Sequence, residues 1–309
     1  MALDVRPVIP SRFFGHKSRG AAPSSRIGSY IALMKLRVVE LLLVTTVPTM
    51  VLAQQGWPSI QLMAVTLFGG TLAAGGANAI NMYIDRDIDK LMVRTQNRPL
   101  VTGALTPRAA MIFAVALEIV AFGVLWAGAN VLAAILAVTA TLFYVFVYSL
   151  WLKRTSKQNI VIGGAAGAMP VLVGWAAVTN SLGWAPVVLF VVIFLWTPPH
   201  FWALAIRHAD DYKAAGVPMM PVVVSLERTV RSMTVYAVLL TISTLVLIPV
   251  ADLGWIYGVT ALVFGVAFVI GAIQLGSDPS PKRSMRLFTF SITYVTAIFV
   301  ALTVDVLLR

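Results

Sequence analysis

Asn78-Ala-Ile-Asn81-Met-Tyr-Ile-Asp85-Arg-Asp87-Ile-Asp89-Lys90 closes an apolar run that begins near residue 59. A run of that length can cross a bilayer, so the polar residues at its end meet an interface. Of the chain's 12 carboxylates, Asp85, Asp87 and Asp89 fall within five positions. Read as a helix, Asn78, Asn81, Asp85 and Asp89 form one stripe at the 3.6-residue period, and Asp87 points elsewhere. Like charges four residues apart oppose a helix unless a cation lies between them. Mg²⁺ suits hard oxygen ligands and takes one or two carboxylates together with substrate phosphates. The stripe can equally be read as a helix end whose polar face simply meets water.

Outward from this stretch the chain is apolar: 59% of its residues are hydrophobic and 11% charged. Soluble domains run near ~25% charged, so this is an integral membrane protein, all-α and polytopic. The absence of cysteine excludes disulfides, thiolate metal sites and cysteine nucleophiles. His16, His200 and His208 are too few for a histidine-rich metal centre. Residues 1–27 carry Arg6, Arg12, Lys17, Arg19 and Arg26 against the single acid Asp4. That composition overlaps an organellar transit peptide, but it reads better as a disordered basic tail on the cytoplasmic side of an anionic membrane. The expected division is therefore a tail, 1–27, and a transmembrane domain, 28–309.

Nine apolar runs approach the spanning length: roughly 28–52, 59–84, 109–128, 131–150, 158–179, 184–206, 231–251, 254–275 and 286–307. The gaps between them alternate. Of the 23 Lys and Arg, 22 lie before or early in the first run or in every second gap after it; only Arg309 lies on the other side. Cation-rich loops stay cytoplasmic, so nine transmembrane helices are expected, with the N-terminus cytoplasmic and the C-terminus on the outer side. The net charge of +11 is thus spread by the membrane rather than gathered on one surface, and no nucleic-acid partner is expected.

A second acidic cluster, Asp210 and Asp211, follows the sixth run at the same face. Two facing clusters could hold two or more Mg²⁺ ions through Asn81, Asp85, Asp89, Asp210 and Asp211, bridging a diphosphate. Lys90, Arg94, Arg98, Lys153, Arg154 and Lys213 would donate to its oxygens. Each cation singly can also be read as an orientation signal. Within the sixth run, Pro198-Pro199 removes backbone donors, and Trp196, His200, Phe201 and Trp202 surround it. These aromatics read either as an interfacial belt or as a cavity wall whose π faces stabilise a carbocation. His200 is a bonded polar group at the kink, a proton acceptor or a ligand to a metal in the acceptor.

The Asn81-x3-Asp85-x3-Asp89 stripe, the nine runs and the second acidic cluster resemble the UbiA superfamily of intramembrane prenyltransferases. Three strings narrow the resemblance: Thr95-Gln-Asn-Arg-Pro-Leu100, Asn159-Ile-Val-Ile-Gly-Gly-Ala-Ala-Gly-Ala-Met-Pro170, and Trp196-Thr-Pro-Pro-His-Phe-Trp202 leading into Asp210-Asp-Tyr-Lys-Ala-Ala-Gly-Val-Pro-Met-Met-Pro221. They are similar to the branch that transfers a farnesyl group to haem b. The resemblance covers roughly 28–305 and implies Mg²⁺ as cofactor. It also implies farnesyl diphosphate, haem b and membrane lipid as partners, with haem A synthase or terminal-oxidase assembly proteins alongside. It places the chain in a cell membrane, a bacterial plasma membrane before a mitochondrial inner one. Asn78, Tyr144, Tyr148, Asn159, Trp175, Trp196, His200 and Trp202 become candidates for the acceptor or isoprenoid pocket. Gly163, Gly164 and Gly167 would give room for close helices or for the flat macrocycle.

One departure stands out. Many members carry Asp-x3-Asp in the second motif, but here Arg207 stands four before Asp211 and Ala215 four after. Two other functions compete: a prenyltransferase for an aromatic acceptor such as 4-hydroxybenzoate, and a cation-coupled transporter of an anionic metabolite. The transporter needs ionisable residues near the midplane, and only Glu118 lies deep.

Overall fold

The computed structural model describes residues 25–278 and 280–309, and every regular element among them is helical. The tail expected at 1–27 falls outside the described residues except for its end, where Ser25 caps a helix by accepting from Gly28 N at 3.0 Å. The principal helices are α1 (Arg26–Met34), α2 (Leu36–Gln54), α3 (Ile60–Ile84), α4 (Pro107–Gly128), α5 (Val131–Thr155) and α6 (Asn159–Thr179). They continue with α7 (Trp184–Arg207), α8 (Ala209–Ala214), α9 (Leu226–Val250), α10 (Trp255–Ser277) and α11 (Pro281–Leu307). Among the described residues, eight of these (α3 to α7 and α9 to α11) are long and apolar enough to cross a membrane.

The first apolar run is not one helix. Lys35 sits in the left-handed region at φ 52°, ψ 52°, and splits it into α1 and α2. A non-glycine residue there costs about 1–2 kcal/mol, so something must hold it. Asn78 of α3 does, donating Nδ2 to Met34 O at 3.1 Å, the carbonyl just before the break. Close helix contacts at small residues add to the packing. A Cβ on Gly76 would fall 2.5 Å from Glu118 Oε1, and one on Gly164 would fall 3.0 Å from Thr197. Small residues at such points let helices approach without a hydrophobic driving force.

Helix α5 is also irregular: Phe143–Leu152 is a π-helix. Ser149 Oγ donates to Tyr144 O, five residues back, at 2.9 Å. Wide turns of this kind gather at functional sites, and here the stretch carries Tyr144, Tyr148 and Ser149. The aromatic belt lies elsewhere: Trp57, Trp126, Trp184 and Trp255 are exposed at the ends of helices on the side opposite the acidic loops. Trp196 and Trp202 are buried in the core that joins α6, α7, α9, α10 and α11, so the belt reading of those two is corrected.

Candidate active site

Helix α3 ends at Ile84, one residue before the acids. Asp85 N still bonds Asn81 O at 2.9 Å, and Asp89 N bonds Asp85 O at 2.8 Å. The turn therefore continues far enough to keep Asn81, Asp85 and Asp89 on one inward face. Both carboxylates are 0% exposed, whereas Asp87 is exposed, as the stripe implied.

Each buried acid uses one oxygen for a protein partner. Asp85 Oδ2 accepts from Asn81 Nδ2 at 2.8 Å and pairs with Lys153 Nζ. Asp89 Oδ2 pairs with Arg98 Nη1 at 2.6 Å. Asn81 Nδ2 also reaches Ser149 Oγ at 3.0 Å, and Asn81 Oδ1 accepts from Lys35 Nζ at 2.8 Å. The other oxygens, Asp85 Oδ1 and Asp89 Oδ1, are buried without any hydrogen-bond partner. An unmet buried carboxylate oxygen is costly. Two of them on one face, with hard-donor chemistry, fit a divalent cation. Lys35 lies within the electrostatic reach of Arg98, Lys153, Asp85 and Asp89. Lys35, Arg98 and Lys153 thus stand with the two acids as donors suited to the oxygens of an anion.

The second acidic loop meets the first. Asp211 Oδ1 accepts from Val93 N at 3.2 Å, and Arg94 Nη2 donates to Tyr212 Oη at 2.9 Å while lying over its ring. Ile88 and Met92 pack with Ala205, Tyr212, Val217 and Met219 beneath these bonds. Asp211 Oδ2 is buried without a hydrogen-bond partner, with His208 Nδ1 3.9 Å away; Asp210, Lys213 and Lys90 are exposed. Among the described residues no three His, Asp or Glu side chains converge on one metal position. Arg154 turns away from the cluster: it clamps Asp87 at 2.7 and 2.8 Å and caps Ile84 O at 3.0 Å. Its guanidinium holds the Asp87 carboxyl well below the usual carboxylate range.

The pocket candidates divide. Tyr144 and Tyr148 stack at 5.3 Å, and Tyr144 lies within reach of the charges on Asp85, Arg98 and Asp89. Asn159 is fully buried with neither amide atom bonded. Trp196 donates Nε1 to Ser291 O at 2.8 Å, and Trp202 faces Tyr236 with its Nε1 unmet. Trp175 sits far from this end, about 24 Å along α6 from Asn159. Asn78 is occupied by the α1–α2 break. Sequence reasoning passed over Lys35, although a cation within an apolar run is costly and therefore informative. Ser149 and Ser291 gave no signal at all.

Comparison with known proteins places the fold and the family. The UbiA prenyltransferase family matches residues 42–297. Protoheme IX farnesyltransferase of Parafrankia sp. (strain EAN1pec) is 54% identical over 298 residues, covering 94% of each chain. The enzyme of the same name from Streptomyces avermitilis is 48% identical over 299 residues, 94% of this chain and 98% of the relative. Among solved structures, a digeranylgeranylglyceryl phosphate synthase superposes with a TM-score of 0.76 at 18% identity, covering 92% of this chain and 99% of that one. A UbiA homologue from Archaeoglobus fulgidus bound to DMAPP and Mg²⁺ gives 0.62 at 18% identity, covering 89% and 99%. Matched over most of its length by the family and by close relatives, the chain belongs to the UbiA prenyltransferase family.

Proposed function

We propose that this protein transfers the farnesyl group of farnesyl diphosphate to a vinyl group of haem b, giving haem O. The single observation that carries the donor half is the pair of orphaned oxygens, Asp85 Oδ1 and Asp89 Oδ1, inside a ring of Lys35, Arg98 and Lys153. The acceptor half rests on the relatives named protoheme IX farnesyltransferase. Asn81, Asp85 and Asp89 would hold Mg²⁺, with Asp211 adding a carboxylate from the second loop beside His208. When bound, the metal supplies Lewis-acid stabilisation of the diphosphate leaving group.

The chain's own residues do the rest. Lys35, Arg98 and Lys153 bind the diphosphate oxygens, and Arg94 reaches the same face from its seat on Tyr212. The bond between farnesyl C1 and oxygen breaks with its electron pair on the diphosphate. The terminal vinyl carbon of haem bonds C1, and the resulting cation next to the pyrrole takes water and loses a proton to give the hydroxyethylfarnesyl group. Tyr144 and Tyr148 offer π faces to the developing positive charge, and the buried bundle keeps water from C1 until the carbon–carbon bond forms.

In the membrane, α2 is the ninth span beside the eight long apolar helices. The cation distribution puts the N-terminal tail and the site at the cytoplasmic face and the C-terminus outside, in a bacterial plasma membrane. A haem A synthase or a terminal-oxidase assembly factor would take up the product. The test is to incubate the purified protein with Mg²⁺, haem b and farnesyl diphosphate and weigh the tetrapyrrole. A mass increase of one farnesyl plus one hydroxyl group is expected, lost with EDTA and lost in Asp85→Ala. Unaltered haem in the complete mixture sinks the proposal.

A further inference from the structure

His200 is buried in α7, 8% exposed, with its ring stacked between Trp196 at 4.1 Å and Phe288 at 4.5 Å. Its Nδ1 lies 2.6 Å from Ser291 Oγ. That hydroxyl has one proton, and it donates it to Phe288 O at 2.6 Å. Ser291 can then only accept from the imidazole, so the Nδ1 position carries the hydrogen. The neutral ring keeps its lone pair at Nε2, which points away from Ser291 and has no hydrogen-bond partner among the described residues. A ring nitrogen fixed by a hydrogen bond at its far side, with the other left open, is the usual arrangement of a metal-ligating histidine.

The depth of His200 is fixed by a chain of contacts across the bundle. Asn81 bonds Ser149 at 3.0 Å, and the neighbouring Tyr148 ring packs on Gly163. Gly164, next in α6, packs on Thr197 of α7, where an added Cβ would lie 3.0 Å from it. Thr197 therefore lies in the same half of the bundle as Asn81, across α6 from it. Helices α3 and α7 run toward the same end, because the loops that follow them are bonded to each other. His200 then lies about 4.5 Å beyond Thr197, and Asp85 about 6 Å beyond Asn81. His200 therefore lies toward the end of the bundle that holds the acidic cluster. Asn159, with both amide atoms unmet, starts α6 at the same end.

We infer that His200 Nε2 is the axial ligand to the iron of the tetrapyrrole acceptor, with Ser291 the positioning residue that fixes its tautomer. This rests on the proposed function, which supplies the iron porphyrin. Ligation there anchors the macrocycle toward the end of the bundle that holds the acidic cluster.

The test compares haem b with metal-free protoporphyrin IX, both bound to the purified full chain in detergent. Wild-type protein should give a histidine-ligated Soret and visible spectrum with haem. His200→Gln should lose that spectrum and weaken haem binding while binding protoporphyrin IX as before. Ser291→Ala, the milder change, should weaken haem binding by about 10–100-fold through the ligand's second contact, again without affecting the metal-free porphyrin. An unchanged haem spectrum in His200→Gln overturns the inference, as does an equal loss of both porphyrins, which would mark the histidine as a packing residue. Wild-type protein that farnesylates haem yet shows no histidine ligation removes this inference alone; failure to farnesylate haem removes the function beneath it.

Discussion

Lys35 offers the sharpest test of how the site was assembled. Its ammonium donates to Asn81 Oδ1 at 2.8 Å and stands with Arg98 and Lys153 around Asp85 and Asp89. Removing it takes away one charge-assisted contact to the diphosphate, worth about 1.5–3 kcal/mol. At about 1.4 kcal/mol per tenfold, that becomes roughly a 10–150-fold loss in kcat/KM for farnesyl diphosphate. The left-handed backbone at this residue supplies a clean variant. Lys35→Gly deletes the ammonium and its bond to the buried Asn81 Oδ1, a loss offset by relaxing a conformation that costs a side-chain residue about 1–2 kcal/mol. The assay is steady-state farnesyl transfer with each substrate varied in turn, together with thermal melting. The loss should fall on farnesyl diphosphate and leave the KM for haem unchanged. A Lys35→Gly protein that melts normally and turns over farnesyl diphosphate within about twofold of wild type would show that the break in the first helix places nothing useful, and the reasoning fails.

Two further outcomes follow from contacts already described. Gly163→Ala pushes a methyl into the Tyr148 ring and should destabilise the protein by about 1–3 kcal/mol; adding Tyr148→Ala should recover part of that in the same melting assay. Asp87→Asn removes an exposed pair with Arg154 whose strength depends on a depressed carboxyl. The pair contributes at neutral pH and is lost as pH falls into the acid range, and at the surface it is worth at most about 1 kcal/mol. Farnesyl transfer should therefore stay near the wild-type rate in Asp87→Asn, in contrast to Asp85→Ala.

Periodicity and charge were enough to read eight of the nine expected spans among the described residues, and the inward stripe, because both are local properties of the chain. The 3.6-residue period separated Asp85 and Asp89 from Asp87, and the structure keeps that separation even though α3 stops at Ile84. The same methods missed the break at Lys35, since an apolar run carries no mark of a left-handed residue and Asn78, which holds the break, is 44 residues away. Arg154 illustrates the opposite error. Its type and position suited a phosphate ligand, but its partners, Asp87 and Ile84 O, are set by how α5 meets α3. The role of Ser291 was equally hidden: the hydroxyl matters because α11 packs on α7 beside His200, 91 residues earlier.

The ion pairs at the heart of the bundle also bear on how such a chain gets into a bilayer. Asp85 arrives with Lys153 and Asp89 with Arg98, so the most hydrophilic side chains of the interior neutralise one another before any substrate is present. Stripping one member from a buried pair costs about 3–5 kcal/mol. The groups that handle the reactants are thus also the groups that let the helices close up while the protein is still empty.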